Sequence, residues 1–274
     1  MNKYSPIGIF DSGYGGLTVL KEIVTKLPRY DYLYLGDNAR APYGSRSFET
    51  VYEYTLQCVN YLFNQGCNLI ILACNTASAK ALRTIQQKDL PLIAPNKRVL
   101  GVIRPTTEII GNYTKTNCVG VLGTTGTISS GSYLVEIEKF FPNLKVYQEA
   151  CPMWVPLIEN NELDNSGADF FIKKHVTHLM KQEAQIDAII LGCTHYPIIE
   201  KKIKQYLPLH VNLLSQGSIV AQSLNNYLNR HIELEVKCSK NGSIKFCTTD
   251  QSETFDKAAG MFYGKPINST RIEL

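Results

Sequence analysis

Two stretches, "NLIILACNTAS" (68–78) and "DAIILGCTHYP" (187–197), have one shape: a short, wholly apolar run that ends in a cysteine and then turns into hydroxyl, amide or imidazole side chains. Runs of this kind alternate along the chain with longer segments of helical period. That alternation is the signature of an α/β protein built on parallel sheets. The runs "PIGIF", "DYLYLG", "NLIILAC", "RVLGVI", "CVGVLG", "KVYQEAC", "DAIILGC" and "VNLLS" read as strands. Between them, Leu17, Leu20, Val24 and Leu27 share one helical face, as do Val51, Thr55, Val59 and Leu62, with Pro28 and Gly66 as stops. A first domain boundary is expected near residue 97, in "PLIAPNKR", which has two prolines and no periodicity.

The two cysteine junctions suggest a duplicated pair of α/β lobes. A fainter echo links "GIFDSGYGG" to "VLGTTGTISSG", each a strand running into a Gly/Ser/Thr loop and then a helix. Chance likeness is the rival explanation, because all strand-to-helix junctions favour small polar residues.

Composition narrows the function. With 274 residues, 44% of them hydrophobic and 19% charged, the chain can bury a large core. No apolar run approaches the roughly 20 residues of a membrane span, and "MNKYSPIGIF" lacks the apolar region of a signal peptide, so the cytoplasm is the expected location. A net charge of +4 comes from scattered lysines, which argues against a nucleic-acid surface. The eight cysteines are expected to be reduced, and Cys58, Cys67, Cys118, Cys238 and Cys247 read as ordinary core residues. No P-loop or dinucleotide fingerprint occurs. His175 and His178 have a spacing that suits a metal, but with no HExxH or Cys/His cluster they read as a solvated helix face, and no metal is expected.

In parallel sheets, ligands bind beyond the carboxyl ends of the strands. There this sequence places Asp11 and Ser12, then Asp37, Tyr43 and Gly44, then Cys74, Asn75 and Thr76. For Ser12 and Thr76 a plain helix N-cap is the alternative. Cys74 and Cys193 stand out, since a structural cysteine needs no polar neighbours. A helix start beside such a thiol is expected to lower its pKa from about 8.5 toward neutrality. One thiol with His195 would suit a Cys/His hydrolase. Two equivalent thiols facing each other across a cleft suit racemisation, one removing a proton from a stereocentre while the other returns one to the opposite face.

The segments "GIFDSGYGGLTVL", "YLGDNARAPYG", "ILACNTASA", "GTTGTISSGSY", "ACPMWVPLIE", "LGCTHYP" and "FCTTDQSETF", in this order, resemble the cofactor-independent glutamate racemases of bacteria, in the aspartate/glutamate racemase superfamily. The resemblance implies two pseudo-symmetric lobes, each a mainly parallel sheet flanked by helices, with the site in the cleft between them. It places residues 1–97 and 210–274 in the first lobe and 98–209 in the second. It implies that Cys74 works on D-glutamate and Cys193 on L-glutamate, that Asp11 and His195 assist them, and that Glu159 is a further carboxylate near the second. Substrate contacts carry over to Asp11, Ser12, Tyr43, Gly44, Asn75, Thr76, Thr194 and His195. No cofactor is implied, members commonly form homodimers, and their D-glutamate supplies peptidoglycan. An aspartate racemase of the same superfamily and a non-catalytic two-lobed amino-acid-binding protein are the alternatives. One departure bears on the lobe junction: Ser215-Gln216-Gly217 stands where many relatives have Asp-Ser-Gly.

Overall fold

The computed structural model describes residues 5–274; residues 1–4, the start of the segment read for a signal peptide, lie outside them. Ten strands occur among the described residues: β1 Ile7–Asp11, β2 Tyr32–Gly36, β3 Leu69–Leu72, β4 Arg98–Gly101, β5 Cys118–Gly123, β6 Lys145–Ala150, β7 Ala188–Gly192, β8 Asn212–Leu214, β9 Ile244–Thr248 and β10 Ser269–Arg271. They form a six-stranded sheet of order β10-β9-β2-β1-β3-β4 and a four-stranded sheet of order β6-β5-β7-β8. Every pair is parallel. The core of the first sheet, β2-β1-β3-β4, thus has the topology of the whole second sheet, and the two cysteine junctions follow the equivalent strands β3 and β7.

Burial explains the apolar runs. β1, β2, β3, β5 and β7 are buried along their whole length, because helices cover both faces of each sheet. Edge strand β6, written in more polar residues, has none fully buried. In the first sheet, Ile7 and Ile9 of β1 pack with Leu17, Leu20 and Ile23 of the helix Gly16–Lys26, while Phe10 packs with Val51, Val59 and Leu62 of the helix Phe48–Asn64. Each such side chain contributes roughly 1.5–3 kcal/mol of burial. Both apolar faces expected from the sequence are present, and the helices stop at Lys26 and Asn64, just before Pro28 and Gly66.

Three details differ from the expectation. The strand expected over "RVLGVI" ends at Gly101, because Ile103–Thr107 is already helical. β9 and β10 had no long apolar run to mark them, since both lie toward the edge of the sheet beside β2. And β4 pairs with β3 while β8 pairs with β7, so a division at residues 97 and 210 puts each of these two strands with the wrong sheet. The segment "PLIAPNKR" is a short helical turn, Leu90–Ile93, leading into β4.

The chain crosses between the sheets twice. The first crossing follows β4, through the helix Ile103–Thr107 to β5. The second follows β8, into the helix Gly217–Arg230, whose Val220, Leu224 and Leu228 join the core packed on the helix Gly16–Lys26.

Candidate active site

In both sheets the chain leaves the first strand to one side and returns on the other, so a crevice opens between the loops after β1 and β3 and between those after β5 and β7. Register sets these loops level. Phe10 pairs with Leu72 and Asp11 with Gly36 in one sheet, and Gly123 pairs with Gly192 in the other. Asp11 and Cys74 therefore stand at one rim, Thr124 and Cys193 at the other.

The rims enclose a cavity of about 170 Å³ lined by Ser12, Tyr43, Gly44, Cys74, Asn75, Thr76, Glu159, Cys193, Thr194 and His195. Ten of the eleven site residues implied by the resemblance thus meet around one space. Asp11, the eleventh, lies directly behind it, fully buried. A larger groove of about 800 Å³ runs along the lobe junction past Lys80, Arg83, Arg104 and Arg230. It contains neither junction cysteine, so the chemistry belongs to the smaller cavity.

Cys74 precedes the helix Asn75–Lys80, and its Sγ accepts the Ala77 N–H at 3.4 Å. Ser12 Oγ is 3.4 Å from the same sulfur. The helix start was expected to depress this thiol's pKa; the structure reverses that. Burial, joined by the nearby Asp11 carboxylate, pushes Cys74 up to about 12 despite the Ser12 and Ala77 hydrogen bonds. Two weak hydrogen bonds to sulfur do not repay the loss of water around an anion.

Asp11 is not hydrogen-bonded to Cys74. Its Oδ1 accepts the Gly13 N–H at 2.9 Å and its Oδ2 the Thr194 hydroxyl at 3.3 Å, a bond that joins the two rims. Burial raises its pKa, with His195 acting in the opposite direction.

The second thiol has an imidazole partner. His195 Nδ1 lies 3.8 Å from Cys193 Sγ, and His195 Nε2 lies 2.8 Å from Glu159 Oε1. Burial opposes a charge on the ring, but the Cys193 and Glu159 hydrogen bonds outweigh it and push His195 up to about 10. At neutral pH the ring is an imidazolium held between a sulfur and a carboxylate.

Neither Ser12 nor Thr76 is a helix cap. Gly15 and Cys74 occupy those positions, while Thr76 Oγ1 meets Thr124 Oγ1 across the cleft at 2.9 Å. Tyr43 spends its hydroxyl on Asp37, which also accepts from Arg40 Nε at 2.7 Å and Thr249 Oγ1 at 2.8 Å. Asp37 thus secures the loop that carries Tyr43 and Gly44, and does not line the cavity. Thr124 and Cys151 line it without having been singled out. The echo between the loops after β1 and β5 was the signal for Thr124; for Cys151, which is buried, it was its place at the end of the run "KVYQEAC".

Away from the cavity, His175 and His178 do not share a solvated face. His175 is buried, bonded through Nδ1 to Glu149 Oε1 at 2.7 Å and set edge-on to Trp154, whereas His178 is exposed with Nδ1 3.6 Å from the same oxygen. Among the described residues, this trio has the side-chain types and spacing that a metal ion would need. The Glu149 carboxylate already serves as the partner of the buried imidazole.

Comparison with known proteins agrees with this geometry. Residues 7–224 match the family model described as Asp/Glu/Hydantoin racemase. The chain is 40% identical to a glutamate racemase of Sulfurihydrogenibium sp. over 98% of its own length and 97% of the relative's. It superposes on a glutamate racemase of Bacillus anthracis with a TM-score of 0.89 at 35% identity, covering 99% of this chain and 98% of that one. On the glutamate racemase of Francisella tularensis, solved in complex with D-glutamate, the TM-score is 0.87 at 33% identity, covering 100% and 98%. With its fold and nearly its whole length in common with these proteins, the chain belongs to the Asp/Glu/Hydantoin racemase family.

Proposed function

We propose that this protein interconverts L- and D-glutamate by proton transfer between its two junction cysteines and the α-carbon. One observation carries the reading: two free thiols, reached from equivalent strand ends of two like sheets, line opposite rims of a single cavity. The relatives' names favour glutamate over aspartate as the substrate.

The resting protonation of the site suits the reaction. Cys74, held as a thiol by burial, is the proton donor toward its rim. On the other rim Cys193, with the His195 ring beside it, is the base. L-glutamate gives its α-proton to Cys193 while Cys74 delivers a proton to the opposite face, which leaves the two thiols with their protonation exchanged. D-glutamate runs the sequence backward. The two resting forms carry the same number of protons, and the enantiomers have equal free energy, so kcat/KM is the same in both directions at every pH.

An α-proton is very weakly acidic, and this chain stabilises the carbanion by excluding water and by offering Ser12, Asn75 and Thr76 as hydrogen-bond donors to the substrate carboxylates. Asp11, bonded to Thr194, holds that hydroxyl in place across the cleft. In the same reading the division of labour follows the lobes, residues 1–97 with 210–274 and residues 98–209, with β4 and β8 exchanged between them. The protein works as a homodimer in the cytoplasm, and its D-glutamate enters peptidoglycan. Among the described residues no helix is long and apolar enough to cross a membrane.

The test is a polarimetric assay with L-glutamate and L-aspartate in parallel, without added cofactor. Glutamate is expected to lose its optical rotation and aspartate to keep it. Cys74→Ser and Cys193→Ser, each folded by circular dichroism, are expected to lose at least about a thousandfold in kcat in both directions, because a serine hydroxyl is far too weak an acid to exchange roles with a thiol. Binding without loss of rotation would make the protein a receptor. Activity surviving in either variant would end the two-thiol mechanism.

A further inference from the structure

The cavity's Asn75 is one corner of a closed ring of three hydrogen bonds buried where both chain crossings meet. Asn75 Nδ2 donates to Gln216 Oε1 at 2.7 Å, Gln216 Nε2 donates to Tyr133 Oη at 2.9 Å, and Tyr133 Oη donates to Asn75 Oδ1 at 2.8 Å. Gln216 and Tyr133 do not line the cavity, whereas Asn75 does. All three side chains are buried. Gln216 sits on the second crossing, just before the helix Gly217–Arg230. Its Nε2 also reaches Val102 O and Thr106 Oγ1, both at 3.1 Å, on the first crossing.

The direction of the ring follows from one fixed member. A backbone carbonyl only accepts, so Val102 O requires the NH₂ end of Gln216 on its side. Gln216 Oε1 must then face Asn75, which requires the NH₂ end of Asn75 in return. Turning the Asn75 amide over would set oxygen against oxygen and leave the Tyr133 hydroxyl facing a donor. The ring consumes the Asn75 oxygen and one N–H, and the second N–H is left for whatever fills the cavity.

We propose that Gln216 is a positioning residue for the reaction: from the junction of the lobes it locks the Asn75 amide so that an N–H, never the carbonyl oxygen, is presented to a substrate carboxylate. This rests on the glutamate reading above. An Asn75 free to rotate would offer its oxygen to an anion about as readily as its N–H, and binding would weaken without any change at the thiols.

Gln216→Met keeps the length of the side chain and removes the amide. In the full chain its KM for both glutamate enantiomers is expected to rise about tenfold with kcat within about threefold, the split that marks lost substrate binding. Hydrogen exchange of the Asn75 side-chain amide, assigned by its disappearance in Asn75→Ala, is expected to quicken at least tenfold in the same variant. The exchange needs no turnover. If the unaltered chain fails to racemise glutamate, the proposed function falls, and the exchange alone then decides the role of Gln216. Tyr133→Phe opens the ring from the other side and is expected to give the same KM, the double variant being no worse than either single one. It also serves if Gln216→Met does not fold. An unchanged KM in an active chain, unchanged exchange, or additive effects of the two substitutions would overturn the proposal and leave Gln216 a packing residue.

Discussion

His195 shows how one side chain's protonation follows from its neighbours. Its imidazole is buried, which alone would keep it neutral, yet Cys193 on one nitrogen and Glu159 on the other hold the proton up to about pH 10. Glu159→Gln removes the carboxylate while keeping its shape. Since that carboxylate favours the charged ring, its loss lowers the His195 pKa, and the alkaline limb of the kcat/KM profile is expected to move down by about one pH unit, equivalent to about 1.4 kcal/mol. Steady-state rates against pH, measured from both enantiomers, check this; a limb that stays in place would separate Glu159 from the protonation of His195. Residue types legible at this scale were the thiols, the imidazole and the hydroxyls. What the sequence did not reveal was the balance at Cys74, where burial overrides the helix start.

At the scale of elements, the turn that leads the C-terminal segment into β9 is tied to the first sheet by a buried carboxylate. Asp31, just before β2, accepts from Ser243 N at 2.9 Å, Ser243 Oγ at 2.6 Å and Asn241 Nδ2 at 2.7 Å, in the turn that leads into β9. Burial works against its charge, but the Ser239, Ser243 and Asn241 hydrogen bonds prevail and lower its pKa from 3.8 to about 2. A depressed carboxylate stabilises the fold above its unfolded pKa and loses that contribution as pH falls toward its folded value. The window is therefore about pH 4 down to about 2, and the amount roughly 2 kcal/mol. Asp31→Asn is expected to lower the melting temperature at neutral pH and to flatten its fall with acid, read by thermal unfolding at a series of pH values. An acid dependence as steep as that of the unaltered chain would show the contribution to lie elsewhere. β9 itself was not expected from the sequence, since its five residues near the sheet edge are only partly buried and form no continuous apolar run.

For the whole molecule, function depends on how closely the two lobes meet. Gly126 N donates to Gly44 O at 2.7 Å across the cleft, and a Cβ at Gly126 would stand 2.8 Å from that oxygen. The obstacle is backbone, so it yields only if a loop or a lobe moves. Gly126→Ala improves the local helix propensity by about 1 kcal/mol while forcing the rims apart. Glutamate KM is expected to rise about tenfold with the melting temperature unchanged or higher, measured by steady-state kinetics and thermal unfolding of the same sample. A variant with wild-type KM would show that the lobes need not approach this closely.

From the sequence alone came the fully buried strands, because a strand covered on both faces must be written as one apolar run, and the reactive loops, because polar residues gather only where those runs end. The duplication was legible for the same reason, as one junction written twice. Tertiary structure alone decided that the two thiols share a cavity, that Asp11 bonds Thr194 across the cleft and not Cys74, and that Gln216, Tyr133 and Asn75 close into a ring. Those facts depend on the relative placement of two sheets and on how much water burial removes, and neither quantity is encoded in the local pattern of any one segment.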